Sequence, residues 1–481
     1  MSERELNDPI SRRDLIKKGL AGAAGLTALP ALIAACNAAQ ATATPMAAST
    51  PHPSTTPTAT ATASPKLSGQ LRLANGLPDT SLLATVAEAA EVARAEKAGM
   101  DAIGAAFEKL TGLRPTLNTL DNFQIIDQTK AYLEGTPEDL FTWYSGYRMH
   151  FYAAKGLILP IDEVWNLVKD NFTPALANAV TADDGHIYGV PVHYSPWAMF
   201  YRRSVWAKHG YQVPTTWDQL LALCARMKKD GLTPIAFGNG DGWPSMETFD
   251  ILDLRLNGYQ FHIDLLKGAA KWTDNRVAGV LKEWRKLVPY YTDGFQLLTW
   301  QKACDTLTGG QAGMYHTGLF MTREVTTVDE SVLDDIDFFE FPYFGNEFDA
   351  ERAVEAQVEV WAMAANSPTL KADSESARAY LEFLAQGSTQ LLMYQAQPRF
   401  LPTASDIDAS NLDRLSAKSV QMASQAQHIT NFFASDTSPY WGGHDQMQSF
   451  LVYFLRDPGQ DLTKLQQGMQ RYWDLLPPYL G

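Results

Sequence analysis

Aromatic and acidic side chains gather where apolar runs end, and these have the types and spacing to do chemistry. Asp121 closes the run 114–120, and Trp143-Tyr144-Ser145-Gly146-Tyr147 follows 139–142. Gly238-Asn239-Gly240-Asp241-Gly242-Trp243 follows 233–237, Thr317-Gly318 follows 312–316, and Pro439-Tyr440-Trp441-Gly442-Gly443 precedes a late helical stretch. The chemistry this suits is non-covalent recognition. A sugar has apolar C–H faces and a rim of hydroxyls. It fits flat aromatic platforms edged by carboxylates, amides and Arg, here including Asp121, Asp241 and Arg399. Trp243, between Gly242 and Pro244, is poorly explained by packing. Trp143 could instead cap a core, Trp441 sits in a Gly-Gly turn expected to be exposed, and Asp241 could instead cap the helix that follows. Acidic residues with aromatic walls would also take a cationic solute. No G-x-S-x-G, H-E-x-x-H or G-x-x-x-x-G-K-[ST] is present, and no spacing selects a carboxylate pair for glycoside hydrolysis. No catalytic residue, metal or cofactor is therefore assigned.

An alternation of strands and helices must position these residues. Strands are predicted at 70–74, 114–120 and 139–143, with helices over 84–111 and 123–134, the first stopped by Thr111-Gly112. The rhythm restarts after 185–219 with a helix over 217–229, strands at 233–237, 312–316 and 337–342, and long helices between them. A strand at 358–363 and closing helices follow. This is the pattern of open α/β sheets, which bind ligands at the carboxyl ends of their strands.

The 481 residues, 46% hydrophobic, suffice for more than one domain, and a net charge of -15 argues against nucleic acid or anionic lipid as a partner. The start reads as an address. Arg12-Arg13 opens a stretch similar to a twin-arginine export signal, and a weakly apolar run over 19–35 follows, too short to span a membrane. It ends in Leu32-Ile33-Ala34-Ala35-Cys36, which resembles a lipobox whose Cys36 becomes lipidated. Residues 37–68 are nearly all Ala, Thr, Pro and Ser, a composition expected to form a disordered stalk. Cys224 and Cys304 lack any C-x-x-C or His partner and read as buried thiols.

From Gly69 onward the chain resembles the extracellular solute-binding proteins of ABC importers, in their carbohydrate-binding, maltose-binding-protein-like group. The resemblance rests on short motifs in order: Phe107-Glu108-Lys109-Leu110-Thr111-Gly112, Gly185-His186-Ile187-Tyr188-Gly189-Val190-Pro191, Phe200-Tyr201-Arg202-Arg203, Pro214-Thr215-Thr216-Trp217-Asp218-Gln219-Leu220, Gly310-Gln311-Ala312-Gly313-Met314, and the helix over 377–384. It implies an α/β fold of two lobes joined by three crossings, near 196–202, 356–360 and 397–402, with ligand in the cleft and closure by hinge motion. Lobe one would be 69–198 with 358–398, and lobe two 199–357 with 399–481. Trp197, Phe200, Tyr201 and Val358 would lie at the hinge. Trp206, Trp217, Trp284 and Trp361 are expected there or in the core. Ligand contacts carried over by position are Trp143, Asp241 and Trp243. Thr317 and Gly318 match a loop that usually carries an aromatic, here Phe320, and His444 and Asp445 fall near a late contact close to Trp441. Tyr144 adjoins the first of these. Gly146 stands where the family often has a ligand carboxylate, and Arg202-Arg203 replaces a usual Asn-Lys.

The expected function is capture of a sugar for an ABC permease by a monomeric, exported lipoprotein on the outer face of the cytoplasmic membrane. A polyamine or glycerol phosphate receptor is the alternative, and an exported glycoside-active enzyme is less favoured.

Overall fold

The computed structural model describes residues 66–77, 86–328, 330–396, 401–438, 440–442 and 446–477. The export signal, Cys36 and the stalk up to residue 65 lie outside them, as do Arg399, His444 and Asp445. The strands are β1 (Arg72–Leu77), β2 (Thr116–Asp121), β3 (Leu140–Tyr144), β4 (Ile158–Leu159), β5 (Val190–Arg202), β6 (Thr233–Ala236), β7 (Ala312–Gly318), β8 (Ile336–Phe339), β9 (Val354–Ala364), β10 (Leu401–Pro402) and β11 (Ile429–Thr430). They follow the order β2-β1-β3-β9-β5-β7-β6, with β8 and β10 on β5, and β4 and β11 on β9. β1 runs parallel to β2 and β3, and β6 runs parallel to β7, as the strand–helix alternation predicts. Among the described residues no helix is long and apolar enough to cross a membrane.

Two long strands carry the chain between lobes. β5 pairs with β9 as far as Pro196 and with β7 from Trp197 onward. Proline cannot donate to a ladder, so it is tolerated where pairing is interrupted. Pro196 stands at this change of partner, and Pro191 at a register shift in the same strand. The first crossing is thus narrower than 196–202. Phe200 pairs with Tyr315 and Phe338, and Tyr201 with Asp337, so both belong to the lobe-two sheet and not to the hinge. The third crossing also moves. Leu401 and Pro402 pair with Tyr194 and His193 on the lobe-one half of β5. The buried Gln390 holds this segment there, accepting from Thr403 N and Ala404 N and donating to Pro191 O. The chain then meets lobe two through Arg414 and Lys418, which donate to Ile336 O and Asp337 Oδ1 of β8, and enters the second core at Phe433, so the last passage lies between residues 404 and 433.

One apolar core fills lobe one and continues under the crossing strands; the second lies within lobe two. Trp361 belongs to the first, and Trp206, Trp217 and Trp284 to the second. The Thr-Trp-x-x-Leu turn is a capping box. Thr216 accepts from Gln219 N, and Gln219 returns the bond to the Thr216 backbone, which starts the helix Trp217–Lys229 and turns Trp217 inward. Cys224 and Cys304 are free and buried. Arg202 also has a role. Its Nε donates to Asp335 Oδ2 at 2.8 Å and its Nη1 to Thr308 O, and Arg203 donates to Asp334 O. The pair staples the end of β5 to neighbouring turns of lobe two.

Candidate functional site

Rings from four separate segments meet around the point where β5 changes lobes. Trp243 begins the turn into the helix Pro244–Lys267, Phe320 follows β7, Phe432 follows β11, and Trp197 is in β5 itself. Trp197 stacks on Phe432 at 5.9 Å with an interplanar angle of 3° and meets Phe320 edge-on at 5.5 Å. Trp243 lies 6.0 Å from Phe320, 6.1 Å from Phe432 and 6.1 Å from Trp300. Trp197 and Trp300 are buried, whereas Trp243, Phe320 and Phe432 are half-buried. Trp243 packs against both apolar cores. Gly318 makes this arrangement possible: a Cβ there would come within 2.3 Å of the Phe320 ring. Thr317 beside it is buried, paired with Ala198.

Carboxylates line the same region. Glu247 accepts from Trp197 Nε1 at 2.7 Å. Asp250 Oδ2 accepts from Phe433 N at 2.7 Å, and His262 Nδ1 lies 2.9 Å from Asp253. Glu355, at the start of β9, is in register with Thr430. Burial raises the pKa of Glu247, Asp250 and Glu355 well above the ordinary carboxylate range; repulsion from neighbouring carboxylates, including Asp253 and Asp436 for Asp250, adds to the rise. Burial would lower the pKa of His262, but Asp253, Asp250 and Asp436 outweigh it and hold it above its ordinary value. Asp241 Oδ2 accepts from Trp300 N at 3.1 Å, so it caps the helix Trp300–Thr308 and not the one that follows it. Burial raises its pKa too. Among the described residues no group of three or more His, Cys, Asp or Glu is arranged to hold a metal ion.

Lobe one contributes the end of β3. Trp143 is 3% exposed, its Nε1 has no partner, and its ring lies 5.5 Å from Tyr152 and 5.5 Å from the buried Tyr144. Gly146, at φ 74, starts the helix Tyr147–Ala154. A Cβ at 146 would fall 2.1 Å from Asp436 Oδ1. Asp436 occupies the space that a side chain at 146 would need, and it accepts from Tyr147 N, Thr430 Oγ1 and Asn431 N. Asn431 braces the same junction, accepting from Val358 N at 2.9 Å and donating to Ser145 Oγ at 3.0 Å. Farther out, Lys267 of lobe two reaches Asp183 of lobe one at 3.0 Å and lies 4.4 Å over the Tyr147 ring.

Of the residues singled out from the sequence, Trp197, Trp243, Phe320 and Asp241 come together. Trp143, Tyr144 and Val358 stand on the lobe-one side of the junction, and Asp121 ends β2. Trp441 does not join them. It is fully buried in the second core, 5.1 Å from Trp272 and 5.4 Å from Trp473, so the exposed position expected of its Gly-Gly turn is corrected: the turn folds inward beneath the last two helices. Glu247, Asp250, Glu355 and Phe432 were missed. Two signals were available. Glu247, Asp250 and Asp253 recur every third residue along a helix, and Glu355, Gln357 and Glu359 alternate with apolar residues along a strand. Phe432 has no such signal.

Residues 92–388 match the family model of bacterial extracellular solute-binding proteins, and the chain belongs to that family. Among relatives, an ABC transporter extracellular-binding protein of Pyrococcus horikoshii is 27% identical over 46% of this chain and 52% of its own length. The chain thus spans about half the length of the first curated relatives it matches. The alpha-glucosides-binding periplasmic protein AglE of Rhizobium meliloti is 23% identical over 79% of this chain and 84% of its own. Among solved structures, the bacterial solute receptor AcbH, described as having an exclusive preference for β-D-galactopyranose, superposes with a TM-score of 0.76 at 29% identity, covering 84% of this chain and 99% of its own.

Proposed function

We propose that this protein is the extracytoplasmic receptor of an ABC importer and captures a sugar between its lobes. The observation that carries this reading is the half-buried trio Trp243, Phe320 and Phe432 around Trp197, edged by carboxylates, at the point where β5 passes from one lobe to the other. Flat rings take the C–H faces of a pyranose, and carboxylates each accept two hydroxyls. Family membership and the sugars named for AcbH and AglE support the same class. Trp143, Tyr144, Thr317, Gly318 and Asp241 are proposed to complete the site. Trp197 and Val358 are proposed as hinge residues, where β5 and β9 would flex as the lobes close. The protein is proposed to bind and release its ligand unchanged, to act as a monomer, and to be exported and anchored by lipid at Cys36.

A thermal-shift screen of mono- and oligosaccharides, polyamines and glycerol phosphate tests the reading. A sugar should raise the melting temperature saturably without being consumed. Stabilisation by a polyamine alone would overturn the sugar assignment, and release of reducing sugar would overturn the receptor assignment.

A further inference from the structure

The site holds more buried acid than its own residues answer. Ala356 of β9 is the partner of Pro196. Glu355 stands one residue before it, and Trp197 one residue after Pro196. Opposed residues of an antiparallel pair face the same way, so Glu355 and Trp197 share one side of the sheet. Glu355 is 1% exposed, and neither of its oxygens has a hydrogen-bond partner. Glu247, fully buried, gives one oxygen to Trp197 and leaves Oε1 unpartnered. Ser195, two residues before Trp197 and so on the same side, is 8% exposed with its Oγ unpartnered. Among the described residues no Lys or Arg forms an ion pair with Glu247, Asp250 or Glu355. The neighbouring base, His262, is already engaged by Asp253 and lies 3.9 Å from Asp250.

A buried carboxylate without a partner is costly, and a ligand that answers it gains in proportion. A hydroxyl answers with one hydrogen bond and no charge. An ammonium answers with three donors and a full positive charge, and aromatic rings add attraction for a cation. We propose that the sugar taken here carries a free amine, a hexosamine and not a neutral hexose, with its ammonium answering Glu247 and Glu355 beside Trp197. This rests on the sugar reading above.

Calorimetric titration of the full chain with galactosamine, galactose, glucosamine and glucose tests it. One hexosamine should bind at least about tenfold tighter than its hexose, as a desolvated charge pair requires. Glu355→Gln, which keeps the shape and cannot ionise when the ammonium binds, should bring the two within about twofold. The neutral N-acetylhexosamine should lose the advantage on the unaltered protein, a comparison that does not depend on the variant folding. A hexose binding as tightly as its hexosamine overturns the proposal and leaves the sugar reading standing. Binding of none of the four overturns the proposal alone, because the sugar reading is decided by the wider screen of mono- and oligosaccharides.

Discussion

Two aromatic clusters in lobe two use the same residue types to opposite ends. Trp272, Trp441 and Trp473 pack at centroid distances of 5.1 to 6.4 Å, with Trp272 and Trp441 fully buried among apolar neighbours. Trp243, Phe320 and Phe432 pack at similar distances around Trp197, but each keeps part of its surface exposed and Glu247, bonded to Trp197, leaves one oxygen unpartnered. Ring count and spacing do not separate a core from a platform; residual exposure and polar company do. The first cluster should therefore answer to stability and the second to binding.

The largest expected effect is on the core side. Trp441→Ala should lower unfolding stability by about 3–5 kcal/mol, the cost of emptying a buried indole site. The folded fraction should keep its ligand affinity, so a denaturant titration beside calorimetry separates the two. An affinity loss matching that of the platform variants would break the comparison.

Trp243→Ala should weaken ligand binding by about 2–3 kcal/mol with a smaller change in stability than Trp441→Ala. Unchanged affinity would remove Trp243 from the platform.

The carboxylates set the next effect. Glu247, Asp250 and Glu355 have raised pKa values in the folded protein. Over the pH range from about 4 up to those values the folded state holds protons that the unfolded chain has lost, so this contribution to stability declines as pH rises. The raised pKa of His262 acts with the same sign, its contribution being lost as pH rises through the raised value. Glu355→Gln should flatten the profile and stabilise the ligand-free protein at pH 7 by about 1–2 kcal/mol. Thermal melts across pH 4 to 8 would show a steeper decline in the unaltered protein; parallel curves would contradict the assignment.

The smallest effect is expected at the rim. Lys267→Met removes a partly exposed interlobe ion pair with Asp183 and should cost no more than about 1 kcal/mol of binding, most of it lost already at high salt.

Much of the fold was legible because it follows from local rules. The strand–helix alternation and the helix start at Trp217 depend on periodicity and turn chemistry written along the chain, and the first crossing was legible only through the family resemblance. The third crossing was not, because residues 401–404 are held to lobe one by Gln390 and by β5, partners remote in sequence. The site was half legible. Trp243 stood out in a glycine-rich loop that gives an indole little to pack against. Trp441 stood out for a similar reason and proved to be core, because the helices that cover its turn come later in the chain.

The sequence by itself determined the alternating α/β architecture, the strand-end aromatics and the family resemblance, since each is a matter of residue type at short spacing. Only the tertiary structure decided which aromatics stay half-exposed, that Asp436 fills the place left by Gly146, and that Glu247 and Glu355 lie buried with oxygens unanswered. Burial and partner choice are set by segments remote in sequence, and no local pattern encodes where those segments meet.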